Sequence, residues 1–346
     1  MSWKALSKFR SELMGLACLW VMLHHNSFTW PESMDGLRRF ALYGNLGVDI
    51  FLLLSGVGLY YAWAKKPALS DFYARRFVRL LVPYALFALP YWVWRDLWLH
   101  EGSFLLDVTQ LSLPLKGVIT TWYVPAMAVF YLLYPLIAKF LFSGDRWTRA
   151  TVLCGGVMLV CLHLNYGNSS IYGNCEIALT RTVIFILGCA LGKSVKDDAP
   201  MASHLPLLGL LWILLNNSLR RNTGLDAVWI RFSYIPLCLS AVIVLCWLLD
   251  RLERFELLRK LLRFFGERSL ELYLSHVLLR NVFYHYIPVK AWDSWGILTY
   301  AVILLISLIV GGGVAAAHAG EELNQLIEIA DMPATYTLMA AGIVGY

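Results

Sequence analysis

Uninterrupted apolar stretches of about 20 residues constrain this chain more than any other feature. A helix of that length crosses the ~30 Å hydrocarbon core of a bilayer. A chain with many such stretches folds only with lipid as part of its solvent. Ten candidates occur, at about 13–30, 44–64, 77–98, 118–142, 150–165, 177–193, 204–218, 231–250, 267–287 and 296–317. Composition agrees: 59% of the 346 residues belong to the set AVILMFWYC and only 15% are charged, against roughly 45–50% and about 25% in soluble domains. Mean hydropathy is +0.61. These values exclude a disordered chain and a coiled coil and leave little room for a soluble enzyme. The expected fold is all-α, a polytopic transmembrane helical bundle of about ten spans. The first run, Leu13 to Trp30, is too long for a signal-peptide core and lacks a small-residue cleavage site, so it reads as a span.

The few charges fix the expected orientation. With the N-terminus in the cytoplasm, nineteen of the 29 Lys and Arg residues fall on the cytoplasmic side and eight outside. The positive-inside bias then puts both termini in the cytoplasm. The outer pair Arg220/Arg221 is the main discordance. No stretch is long and polar enough for a soluble domain. The longest outer loops are expected at 99–117 and at 163–176. Residues 1–320 are expected to form one membrane domain, and 321–346 a short tail whose final apolar run is too short to span. The seven Cys lack CxxC spacing and lie mostly in apolar stretches, so they read as packing residues. No metal is expected, and neither is a nucleic-acid partner.

Polar groups inside a span are costly, so each is a candidate for function. The first span carries His24 and His25 followed by Asn26, with Arg10 at its start. A lone buried His is more often a satisfied structural group than a catalyst. Here, Arg10 and His24 are 14 residues apart, which is ~21 Å and roughly 40° short of whole turns. A cation at the mouth of a face and an imidazole deeper along it suit a reaction path, and His is the natural general base near neutral pH.

Arg75, Arg76 and Arg79 form a second cluster. They read either as a positive-inside anchor or as an anion site, because Arg76 and Arg79 share a helix face and guanidinium groups bind phosphate bidentately. Asp49 either orients a His or caps a helix. Trp122 and Tyr123 read by default as part of an aromatic belt. Glu176 and Arg181, five apart, are expected to pair. His276 belongs to a network with Tyr273, Ser275, Arg280 and Glu271, for which a structural role is the simpler reading. The six basic residues in 251–268 read as an orientation signal.

Six blocks in order resemble the acyltransferase-3 family of integral membrane O-acyltransferases. They are Glu12-Leu-Met-Gly-Leu-Ala-Cys-Leu-Trp-Val-Met-Leu-His-His25, Gly47-Val-Asp-Ile-Phe-Leu-Leu-Leu-Ser-Gly56, Phe72-Tyr-Ala-Arg-Arg-Phe-Val-Arg-Leu-Leu-Val-Pro-Tyr84, Trp122-Tyr-Val-Pro-Ala-Met-Ala-Val-Phe-Tyr-Leu-Leu-Tyr-Pro135, Phe185-Ile-Leu-Gly-Cys-Ala-Leu-Gly192 and Phe265-Gly-Glu-Arg-Ser-Leu-Glu-Leu-Tyr-Leu-Ser-His276. Each block alone is weak; the ordered set, over about 10–280, is specific, and the family's ten-helix layout matches the ten candidates. The resemblance implies transfer of an acyl group, usually acetyl, from acyl-CoA to a hydroxyl of an envelope carbohydrate at the inner (cytoplasmic) membrane. It matches the family His to His25, with His24 beside it, and the paired Arg motif to Arg76 and Arg79. One departure is plain. The family commonly has an Arg with ten residues between it and the His; that position is Met14, and Arg10 lies one turn earlier. No second hydrolase-like domain is expected after the membrane domain, as in a stand-alone member. The alternative reading is a permease that moves a small polar solute through the same polar core. A purely structural membrane protein leaves the His pair unexplained.

Overall fold

The structure, a computed structural model, describes residues 1–27, 30, 32–222, 226–287 and 294–318. The expected tail at 321–346, Lys290, and the side chains of Arg220 and Arg221 lie outside the described residues. Within them the chain is helical, with no β-strand. The helices of ten residues or more are α1 (Arg10–His24), α2 (Leu46–Trp63), α3 (Leu69–Trp92), α4 (Tyr123–Phe142), α5 (Arg146–Tyr166), α6 (Ser170–Leu179), α7 (Thr182–Lys196), α8 (Leu205–Asn222), α9 (Ala227–Arg251), α10 (Glu256–Glu267), α11 (Ser269–Tyr286) and α12 (Ser294–His318).

Every expected apolar stretch coincides at least in part with a helix. Among the described residues, six helical segments are long and apolar enough to cross a membrane: Asp35–Trp63, Leu69–Trp98, Tyr123–Phe142, Arg146–Tyr166, Ser170–Lys196 and Ala227–Arg251. Two of the other expected spans fall short for reasons visible in their residues: α1 has 15 residues and carries Arg10 and Glu12, and α11 is diluted by Glu271, Arg280 and two His. Helices α8 and α12 carry apolar stretches at Leu205–Asn216 and Ile297–Gly313 among the described side chains. The expected loop at 163–176 is also corrected: α5 runs on to Tyr166, and α6 begins at Ser170 after the side chain of its N-cap Ser169 accepts from Tyr172 N. The expected loop at 99–117 holds two short helices, Phe104–Val108 and Ser112–Lys116.

Two close helix crossings build the core around the future site. A Cβ added to Gly15 of α1 would lie 1.9 Å from the Leu262 carbonyl oxygen of α10, and one added to Gly266 would lie 1.9 Å from the Ser11 carbonyl oxygen of α1. The two backbones therefore touch through reciprocal glycines, as small residues permit in apolar bundles. The α2/α7 crossing is alike: a Cβ on Gly56 would meet Phe185 O at 2.6 Å, and one on Gly188 would meet Leu53 O at 2.2 Å.

A buried ion cluster locks the first crossing. Glu12, 2% exposed, accepts from Arg259 Nε (3.2 Å) and Nη2 (3.0 Å) and from Arg263 Nε (3.0 Å). Arg259 and Arg263 are four apart on α10 and so present one face to α1. The 251–268 segment, read from sequence as an orientation signal, thus contains a docked amphipathic helix. Its opposite face exposes Leu257 and Leu261. A single residue, Arg268, separates α10 from α11, so the clamp also sets where α11 starts.

Overpacking such a contact costs about 1–3 kcal/mol or more. Gly15→Val is therefore expected to lower the thermal unfolding midpoint of the detergent-purified protein clearly. Gly155→Val on α5, where an added Cβ meets nothing within 4 Å, is expected to leave it nearly unchanged.

Candidate functional site

One cavity of about 120 Å³ lies among α1, α2, α3, α4 and α11. Its polar end is formed by Arg10 of α1 and by Arg76 and Arg79 of α3; Ser55 and Gly58 of α2 and Tyr131 of α4 complete that wall. Gly58 serves here as open wall rather than as a packing contact, since the nearest atom to an added Cβ is Arg10 Nη2 at 3.7 Å. The aromatic end is formed by Trp122, Tyr123 and Tyr273. Tyr123 packs edge-on against both Phe51 (6.4 Å between centroids) and Tyr273 (5.7 Å).

Three arginines line this cavity, Arg10 and Arg76 half-buried and Arg79 exposed, together with the carboxylates Glu267 and Glu271. The buried Nε atoms of Arg10 and Arg76 have no hydrogen-bond partner among the described residues. Arg76 makes a cation–π contact with Phe72, 6.0 Å from the ring centre. Arg75 and Arg79 are both exposed on α3, and of the two only Arg79 lines the cavity.

Beyond the aromatic end lies a pair of imidazoles. His25, at the C-cap of α1, is hydrogen-bonded through its backbone N–H to Val21 O, and Val21 lines the cavity. The side chain of His25 meets His276 of α11: Nδ1 of His25 and Nε2 of His276 are 2.7 Å apart. The rings stack at 5.0 Å and 28°. His276 is fully buried, and its Nδ1 is 2.6 Å from Leu272 O. Tyr273 leans on His276 at 6.1 Å between ring centres, which joins the pair to the cavity wall. Arg280 Nη1 donates to His25 O at 3.3 Å. His24 turns away: an added Cβ on Gly44 would lie 2.9 Å from His24 Cβ. Of the two, His25 is the one whose ring nitrogen meets His276.

A third cluster lies apart from the imidazoles. Asp49 neither orients a His nor caps α2; its carboxylate pairs with Arg181 Nε at 3.2 Å, and both side chains are almost fully buried. Arg181 also donates to Ile177 O (3.0 Å) and Asn45 Oδ1 (2.5 Å). Its guanidinium lies 5.4 Å from the Trp122 ring centre, so this cluster backs the cavity wall. The expected Glu176–Arg181 pair does not form. Glu176 accepts from Arg231 Nε at 2.8 Å instead; Arg181 lies past the end of α6, in the two-residue break before α7. Trp122, 7% exposed, is buried wall rather than interfacial belt.

Of the candidates read from sequence, Arg10, Arg76, Arg79, Trp122 and Tyr123 thus share one cavity, and His25 and His276 meet directly behind it. Asp49, Glu176 and Arg181 buttress it. Tyr131 and the Glu12–Arg259–Arg263 clamp escaped the sequence reading. An acidic residue near the start of an apolar helix and two Arg four apart were the available signals for the clamp. Among the described residues, no group of three or more His, Cys, Asp or Glu is placed to hold a metal ion.

A family model described as an acyltransferase domain matches residues 13–316. The chain belongs to the acyltransferase-3 family. It is thus a multi-pass membrane protein with an acyltransferase domain, and that chemistry requires an acyl donor and an acceptor. No curated protein and no solved structure matches it. The acyltransferase-3 match runs from α1 through α12 and so contains the arginine cavity, the imidazole pair and the buttress alike.

Removing one partner of a buried pair costs about 3–5 kcal/mol. Asp49→Asn is expected to destabilise the protein by an amount of that order in detergent melts. Asp49→Asn combined with Arg181→Met is expected to cost less than the two single changes summed, since the pair is coupled.

Proposed function

We propose that this protein is an O-acyltransferase of the cytoplasmic membrane. It moves an acyl group, acetyl by default, from acyl-CoA to a hydroxyl of a cell-envelope or exported carbohydrate. The single observation that carries this reading is the cavity with three arginines at one end and aromatic rings at the other, ending beside an imidazole pair. The orientation that best serves it has both termini in the cytoplasm. The arginine end then opens to the compartment that holds acyl-CoA.

In this reading Arg10, Arg76 and Arg79 bind the donor's phosphates, with Arg75 adding to the local positive potential. The thin acyl-pantetheine arm follows the cavity toward Tyr123 and Tyr273. His25 is the general base. It takes the proton of the acceptor hydroxyl as that oxygen attacks the thioester carbonyl carbon. The tetrahedral intermediate then expels the CoA thiolate, which recovers the proton from His25. The products are an ester and free CoA thiol, and the route calls on no metal. Charge developing on the carbonyl oxygen needs a donor, and the phenol groups at the aromatic end are suited to that task.

Two measurements test the proposal. Charge-assisted hydrogen bonds contribute about 1.5–3 kcal/mol each. Acetyl-CoA binding to the purified protein is therefore expected to weaken about 10–100-fold on Arg76→Ala or Arg79→Ala. Mass spectrometry of envelope glycans should show one acyl mass on a defined sugar, lost in His25→Ala while the protein stays in the membrane. Unchanged binding in both Arg variants would point instead to a permease, and full acylation in His25→Ala would remove the base role.

A further inference from the structure

We propose that His276 is a positioning residue that fixes the tautomer of His25 and leaves Nε2 of His25 as its free basic nitrogen. The inference rests on the reading of His25 as the base and deepens it.

A carbonyl oxygen only accepts. The 2.6 Å contact between His276 Nδ1 and Leu272 O therefore requires the proton of a neutral His276 to sit on Nδ1. Its Nε2 is then a lone pair. That lone pair faces His25 Nδ1 at 2.7 Å, a separation at which two lone pairs repel and an N–H donor is required. His25 Nδ1 must carry the proton, and His25 Nε2 is left unprotonated.

The opposite assignment needs a protonated His276 that donates to His25 Nδ1 and would leave His25 with its proton on Nε2 and no base. The groups around the pair oppose that added positive charge. The Arg280 guanidinium donates to His25 O, and His24 and Tyr273 are the adjacent rings. The carboxylate of Asp49 is engaged by Arg181, and Glu271 lines the arginine cavity. The ring nitrogens that make hydrogen bonds within the pair use each other and Leu272 O, not a carboxylate. The pair is two neutral imidazoles, and the order of donors is one-way: His25 Nδ1–H to His276 Nε2, then His276 Nδ1–H to Leu272 O.

This differs from a carboxylate orienter. His276 holds the ring and its tautomer without adding negative charge. When His25 Nε2 takes the hydroxyl proton, the Nδ1 proton can shift along the 2.7 Å hydrogen bond toward His276 Nε2, so the positive charge spreads over two rings. It returns when Nε2 gives its proton to the departing thiolate.

The test combines spectroscopy with kinetics. In protein with 15N-labelled histidine in detergent, the His25 signals are assigned by their loss in His25→Ala. The expected pattern is protonated Nδ1 and unprotonated Nε2, with a tautomer mixture in His276→Leu. A wild-type Nε2–H form, or a pattern unaffected by His276→Leu, overturns the proposal.

In turnover with acetyl-CoA, His276→Leu should lower kcat by about 10²-fold or more with KM for the donor unchanged. His276→Gln, whose side-chain oxygen can accept from Nδ1, should retain clearly more activity. Equal losses in both overturn the proposal. Should His276→Leu fail to fold, the wild-type spectrum and the Gln variant decide. The spectrum needs no turnover. The expected tautomer in a protein that neither binds acyl-CoA nor acylates would sink the acyltransferase reading alone and uphold the positioning role.

Discussion

The buried carboxylate of Glu12 is the contact on which the site depends. It binds two guanidinium groups of α10 and so presses α10 on α1 at the point where Gly15 and Gly266 let the backbones touch. With only Arg268 between α10 and α11, the clamp determines where α11 enters the bundle. About two turns into α11, His276 then reaches His25 at the far end of α1. A charged pair that would contribute little at an exposed surface is here part of the geometry that joins two imidazoles 251 positions apart in sequence.

Low dielectric sorts the remaining charges into two kinds. Asp49 with Arg181 and Glu176 with Arg231 are paired, and breaking either leaves an uncompensated ion. These pairs buttress the bundle. Arg10, Arg76 and Arg79 are crowded together around one cavity. Glu267 and Glu271 line the same cavity, so it gathers charges of both signs.

Met14 and Arg10 both line the cavity, because positions four apart share a helix face and lie only ~6 Å apart along the axis.

Much of this was legible in the sequence. Apolar length located the described helices long and apolar enough to cross a membrane, scarcity of charge drew attention to the His24–His25 pair and to the Arg75, Arg76 and Arg79 cluster, and the family resemblance chose among them. Helical periodicity is a local property, so residues four apart could be assigned to one face without coordinates. Which faces meet is decided by contacts distant in sequence, and no local pattern encodes them. Sequence could therefore not assign Asp49 to Arg181 rather than to a His, Glu176 to Arg231 rather than to its near neighbour, or His276 to His25. Two of the expected spans, α1 and α11, are shortened or diluted by their own polar residues. The sequence by itself determined a helical membrane protein with a few costly polar groups. Only the tertiary structure decided which of those groups pair and fall silent and which face one another across a cavity, because pairing energies in a low-dielectric interior depend on separations of a few ångströms.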